Sequence, residues 1–231
     1  MRPSRSQIIV ISVGGSLIAP ARLDSVFLKR FRGLITKWVG RGRRFCLVTG
    51  GGQLNSRYNR AVQQIAKLSP DDLDWIGIAV TKLHAQVIRS LFGKLAHPEL
   101  YNDPARPPLF KRPILVGGGY RPGHSTDLDA VLLAKSLGAR SVVNLTNTDF
   151  VYDRDPNRFT GARPLSDLTW AAFQKLIPKK WRPRLHSPFD PRASQLARRL
   201  GLSLYVINGR RLSELDNLLN GRKFRGSQIH P

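Results

Sequence analysis

The sequence predicts an α/β protein whose mostly parallel sheet is covered by helices on both faces, and three observations predict it. Short β-branched runs alternate with stretches of helical periodicity along the chain. The first run, Ile8-Ile9-Val10-Ile11, is apolar throughout, as a strand buried on both faces is. Three strand candidates run into glycine clusters: Gly14-Gly15, Gly50-Gly51-Gly52 and Gly117-Gly118-Gly119. In sheets of this kind ligands gather beyond the carboxyl ends of the strands, where all three clusters fall.

After the first strand a helix is expected over Asp24 to Val39, with Val26, Phe27, Phe31, Leu34, Ile35 and Trp38 at helical spacing. Phe45 to Val48 is the second strand, and Gln53 to Leu68 reads as helix beyond its glycines. Asp71 to Phe92 is a long helix with Ile76, Val80, Leu83, Val87 and Leu91 on one stripe. Pro98 to Pro113, with five prolines, is a loop and the one plausible linker. Ile114 to Val116 is a strand, Asp127 to Leu137 a helix and Ser141 to Leu145 a strand. Asn147 to Pro164 is turn-rich and suits a hairpin. Asp190 to Leu200, Leu204 to Ile207 and Leu212 to Leu219 close the chain as helix, strand and helix.

Composition narrows the function. At 231 residues one domain spanning 1–231 is expected. No apolar stretch is long enough for a transmembrane helix, and Met1 to Gln7 is polar and basic, unlike a signal peptide. Cys46 is the only cysteine, which excludes an intrachain disulfide and a cysteine-cluster metal site. An intracellular, cytoplasmic protein is the simplest expectation. The net charge of +23 attracts polyanions, yet the basic residues are scattered from Arg2 to Arg225 rather than gathered into one tail. Nucleic acid is therefore a possible partner but not the expected one, and Trp38, Trp75, Trp170 and Trp181 are too widely spaced for a stacking platform.

Glycine lets a backbone approach a phosphate closely, and successive N–H groups with a helix N-terminus form an anion site. The clusters match neither the Walker pattern nor a G-x-G-x-x-G opening a helix, so the nucleotide site is of another kind.

Val13-Gly14-Gly15-Ser16, Thr49-Gly50-Gly51-Gly52, Pro122-Gly123-His124-Ser125-Thr126-Asp127 and Thr146-Asn147-Thr148-Asp149-Phe150-Val151-Tyr152-Asp153-Arg154-Asp155-Pro156 occur in that order. Asp74-Trp75-Ile76-Gly77, Pro188-Phe189-Asp190-Pro191 and the ending Gly226-Ser227-Gln228-Ile229 accompany them. The series resembles the amino-acid kinase family, and within it the archaeal-type UMP kinases, over essentially the whole chain. That resemblance implies a three-layer α/β/α sandwich with a mostly parallel central sheet of about eight strands. It also implies transfer of the ATP γ-phosphoryl group to UMP, assembly as a homohexamer, and no membrane partner. Carried over residue by residue, Gly15, Ser16 and Gly52 would meet ATP phosphates, and Thr146, Asn147, Tyr152 and Asp155 would frame adenosine. Gly51, Arg57, Asp74, Tyr120, Arg121, Pro122, Gly123, His124, Ser125 and Thr126 would hold UMP. Asp74 would accept from ribose hydroxyls, while Asp127 would organise the space between the nucleotides. Mg²⁺ would bridge the ATP phosphates and keep much of its water, with no protein ligand assigned.

The chain departs from the family at several positions. Ser12 stands where many members carry a lysine, so another cation must neutralise the moving phosphoryl group; Lys82, Arg57 and Arg121 are candidates, with Arg121 preferred. The family's phosphate-binding arginine falls at Ser56, and Arg57, one residue on, either reaches back or faces solvent. Phe150 replaces a glycine and His84 an asparagine. Three alternatives stand beside UMP kinase: another kinase on this fold, a catalytically silent nucleotide- or anion-binding protein, and an RNA-binding protein.

Overall fold

The computed structural model describes residues 8–156, 158–178 and 187–231. Met1 to Gln7 and Trp181 lie outside the described residues. The chain runs β1 (Ile8–Val13), α1 (Gly15–Ile18), α2 (Ser25–Val39), β2 (Arg44–Thr49), α3 (Gly52–Ile65) and α4 (Pro70–Phe92). After a 3₁₀ turn (Gly93–Leu95) come β3 (Ile114–Gly117), α5 (Thr126–Leu137), β4 (Ser141–Thr146), β5 (Val151–Tyr152), β6 (Pro164–Leu165) and β7 (Asp167–Thr169). The rest is α6 (Trp170–Leu176), α7 (Pro191–Arg199), β8 (Ser203–Asn208), α8 (Leu212–Leu219) and β9 (Ser227–His230).

Seven strands form one sheet in the order β3-β2-β1-β4-β8-β9-β7, parallel except where β9 runs against β8. The central sheet thus has seven strands where about eight were expected; β5 and β6 pair with each other in a separate antiparallel ribbon, which is the anticipated hairpin. The chain builds β1, β2 and β3 outward in one direction and then starts again on the other side of β1 with β4. The order therefore reverses between β1 and β4, which opens a crevice above their carboxyl ends.

Strand side chains alternate between two apolar layers. Val10, Cys46, Val48, Val142 and Val206 meet α5, α6 and α7 through Val131, Phe173 and Ala197. Ile11, Leu47, Val116, Val143 and Ile207 face the other layer, where Phe31, Ile35, Ile88 and Leu215 come from α2, α4 and α8. Both sheet faces are thus covered.

Three expectations change. The Pro98–Pro113 segment is no linker: His97 and Tyr101 donate backbone bonds to Ile114 and Val116, and Tyr101 is buried. On α4 the stripe toward the sheet is Gly77, Thr81, His84, Ala85 and Ile88, while Leu83 and Leu91 are exposed. Gly77, Thr81 and Ala85 let the helix approach the sheet closely, with Ile78, Val80, Ile88 and Phe92 buried beside them, so of the expected stripe only Val80 is fully buried. Val26 on α2 is likewise exposed rather than in the core. The short strands β7 and β9 and the helix α6 carry too few residues to show a period.

Candidate active site

Two glycine loops meet at the switch point. A Cβ built on Gly15 would lie 2.4 Å from the Gly50 carbonyl oxygen and 2.4 Å from the Gly52 nitrogen. One built on Gly52 would lie 2.3 Å from the Gly15 carbonyl carbon, and Gly52 has φ +59°. The loops interlock backbone against backbone, so only glycine fits at either contact. Gly52 also opens α3, whose unpaired N–H groups face the same space. The third cluster does different work. Gly117 lies under the Tyr101 ring, and Gly119 donates to Thr81 Oγ1 at 2.8 Å. Only Gly119 of that cluster lines the cleft, a cavity of roughly 890 Å³.

A polar row lies beside the loops. Ser12 and Asn144 are register partners on β1 and β4 and both point toward the α5–α7 layer. Asn144 Nδ2 donates to the Pro188 carbonyl at 3.2 Å, fixing the entry to α7. Asp127, in the first turn of α5, accepts from the Asp190 backbone N–H at 3.1 Å and from Ser12 Oγ at 3.5 Å. Asp190 caps α7 by accepting from the Arg192 and Ala193 N–H groups. Its second oxygen, Oδ2, is buried without a hydrogen-bond partner. Desolvation, and then the Asp190 charge, push the Asp127 carboxyl up to about 7.

The segment 120–126 forms the opposite wall. Asp74 Oδ2 accepts from the Gly123 N–H at 2.8 Å, and Gly123 has φ +77°. The Arg192 guanidinium donates to the Gly123 carbonyl, so the turn is held from α4 and from α7. Asp129, one turn into α5 and fully buried, accepts from the Tyr120 N–H at 3.0 Å and bonds His124 Nδ1 at 3.0 Å. Burial pushes its carboxyl above the usual range, against the pull of the His124 bond. Arg121 Nε donates to His124 Nε2 at 3.2 Å, an arrangement that leaves Nδ1 as the ring atom facing Asp129 as donor. The Tyr120 hydroxyl reaches Asp103 at 3.4 Å.

Of the residues singled out from sequence, Gly15, Gly51, Gly52, Asp74, His124, Ser125, Thr126, Asp127 and Thr146 line one cleft. Others stand apart. Arg57 is exposed and donates to the Ala21 carbonyl at 3.0 Å, beside a second cavity, because one residue of helix turns it away. Arg121 is exposed at the rim, over the Tyr120 ring, and Lys82 does not reach the lining. Asn147 and Asp155 are exposed, and Tyr152 sits on the β5–β6 ribbon with Phe150. Phe150 is no core residue; it packs on Tyr152 beneath the Arg225 guanidinium. Ser16, Tyr120, Pro122 and Gly123 flank the cleft without entering its lining.

Several lining residues carried no motif. Asn55 and Asn59 each bury an unpartnered amide oxygen there, and Arg60 is the one Lys or Arg in the lining among the described residues. The i, i+3, i+4 spacing of 52, 55, 56, 59, 60 and 63 was the available signal, since it fixes one helix face. Asp149, held below the usual carboxylate range, had no such signal: burial works against that shift, but Asn208, Arg225 and Arg211 from distant segments outweigh it.

Residues 7–208 match the family model described as the amino acid kinase family. The uridylate kinase of Methanocorpusculum labreanum is 32% identical over 225 residues, spanning 96% of this chain and 94% of that relative. The uridylate kinase of Pyrococcus abyssi is 28% identical, spanning 96% of this chain and 99% of its own. Among solved structures, the uridylate kinase from Archaeoglobus fulgidus superposes with a TM-score of 0.78 at 26% identity, over 96% of this chain and 99% of that one. The UMP kinase from Bacillus anthracis, at 18% identity and a TM-score of 0.74, shares the fold over 97% and 96% of the two chains.

Proposed function

The chain belongs to the amino acid kinase family, and from that premise we propose that its cleft transfers the γ-phosphoryl group of ATP to UMP, giving UDP and ADP. The observation that carries the reading is one continuous cleft with two unlike ends. At one end the interlocked loops around Gly15 and Gly52 offer backbone N–H groups and the N-terminus of α3 to phosphates. At the other, Asp74 with His124, Ser125 and Thr126 lines a wall suited to a nucleoside. Asp74 uses one oxygen to fix Gly123 and keeps the other for ribose hydroxyls. A small carboxylate acceptor would need no such ribose partner.

The acceptor phosphate of UMP is already anionic, so no general base is required; the chain's task is alignment and charge neutralisation. Thr146 and the exposed Asn147, with Tyr152 and Asp155 farther out, are assigned to the donor's adenosine side. Ser16 is assigned to the donor phosphates, and Tyr120, Arg121 and Pro122 to the acceptor wall. Asp127 ties β1, α5 and α7 together between the two ends. Among the described residues no group of three His, Cys, Asp or Glu could hold a metal. Mg²⁺ would be carried on the phosphates with its own water, and Asp127 and Asp190, both in the cleft lining, would be the carboxylates that accept from that water. Bound there, Mg²⁺ would neutralise phosphate charge.

The same reading takes 1–231 as one domain, assembled as a homohexamer and working in cytoplasmic pyrimidine nucleotide synthesis. Trp75, Leu83 and Leu91, exposed on α4, support burial against another copy. Among the described residues no helix is long and apolar enough to cross a membrane. The test is ADP release from Mg-ATP with UMP, CMP, dUMP or glutamate as acceptor. Turnover with UMP alone is expected. Calorimetric binding of ATP and UMP without turnover on any acceptor would replace the kinase with a silent nucleotide-binding protein, the alternative that Ser12 motivates.

A further inference from the structure

We infer that Arg60 on α3 is the cation that holds the acceptor's phosphate, a role that rests on the reading of the cleft as a nucleoside monophosphate kinase site. The cleft is short of positive charge. Asp74, Asp127 and Asp190 line it, and Arg60 is the only Lys or Arg to do so among the described residues. Two bound nucleotides would bring several more negative charges into that space, and backbone N–H groups alone supply only partial ones.

The geometry of α3 selects Arg60 over its neighbour Arg57. Gly52, Ser56, Asn59, Arg60 and Gln63 all face the cleft. Arg57 lies on the flank, tied to the Ala21 carbonyl. Arg60 sits one turn beyond Ser56 on the same face. Helical side chains lean toward the helix N-terminus and cover the preceding turn, so the Arg60 stem runs back over Ser56 toward the glycine loops. A serine at 56 leaves room for it. Among the described residues, no hydrogen bond or ion pair engages the Arg60 guanidinium, whereas Arg121 is bonded to His124 and Arg192 to Gly123.

The acceptor end is selected by what surrounds that turn of α3. Asn59 Nδ2 donates to the Leu73 carbonyl at 3.2 Å, which fastens it to the first turns of α4 beside Asp74. A phosphate on Arg60 therefore belongs to the nucleotide whose ribose meets Asp74.

Binding of UMP and of uridine to the whole protein, measured by calorimetry, reads the contact without turnover. Arg60→Ala is expected to weaken UMP about tenfold to hundredfold and leave uridine unchanged, since only the phosphate loses a charged partner. In steady state the KM for UMP should rise while the KM for ATP holds. Arg60→Lys should recover part of the loss, and Ser56→Arg added to Arg60→Ala should recover more, because it returns a guanidinium to the same face. Lys29→Ala, which removes an equal charge from the outer surface of α2, should match wild type. If Arg60→Ala bound UMP as wild type does, the Arg60 role would fall and the kinase reading would stand. If wild-type protein neither bound UMP nor phosphorylated any nucleoside monophosphate, both would fall.

Discussion

Asp127 is under two opposed demands. It must stand in the cleft between the proposed donor and acceptor ends, yet desolvation beside Asp190 raises its carboxyl from 3.8 to about 7. A carboxyl raised on folding binds more protons in the folded than in the unfolded chain between those values, so its contribution to stability falls as pH rises from about 4 to 7. Asp127→Asn removes that dependence. Its thermal midpoint should exceed that of wild type by a margin that grows over this interval and levels off above it. Turnover should fall at the same time, as expected where function sustains strain. Gly15 is the other sensitive residue. Gly15→Ala would drive a methyl into the backbone of Gly50 to Gly52, and urea unfolding should report a loss of about 3 kcal/mol or more. Sequence showed that a glycine was needed here; that its partner was Gly52 across the loop junction required the fold.

At the scale of elements, α4 carries Asp74 of the proposed acceptor wall, and its start is fixed by a capping box. The Ser69 side chain accepts from the Asp72 N–H, and Asp72 accepts from the Ser69 N–H in return. Ser69→Ala should cost about 1 kcal/mol, seen as a fall of roughly 2–4 °C in the thermal midpoint. The helices were largely legible because their periods are long. Ser25–Val39 and Leu212–Leu219 stand within a residue of the spans that spacing gave. Which face of α4 turned inward was not legible. Ile76, Val80, Leu83, Val87 and Leu91 form a good stripe by hydropathy, yet Leu83 and Leu91 are exposed. The sheet selected the narrower face of Gly77 and Ala85, since close packing depends on volume as well as polarity.

For the whole molecule the +23 charge is the dominant field. Self-repulsion of that size opposes the compact state, and salt screens it within about 8 Å at physiological strength. Raising salt from about 0.05 to 0.5 M should therefore raise the thermal midpoint. Any affinity for RNA should collapse over the same range, because it depends on counterion release. The sequence by itself determined the α/β class, the glycine loops at strand ends and the family, because those are encoded in local runs and short motifs. Only the tertiary structure decided which charges share the cleft. Arg57 and Arg60 differ by three positions in sequence, yet helix rotation sends one to Ala21 and the other into the cleft. Asp127, Asp190 and Ser12 lie far apart along the chain, and their contact exists only because the sheet reverses order between β1 and β4.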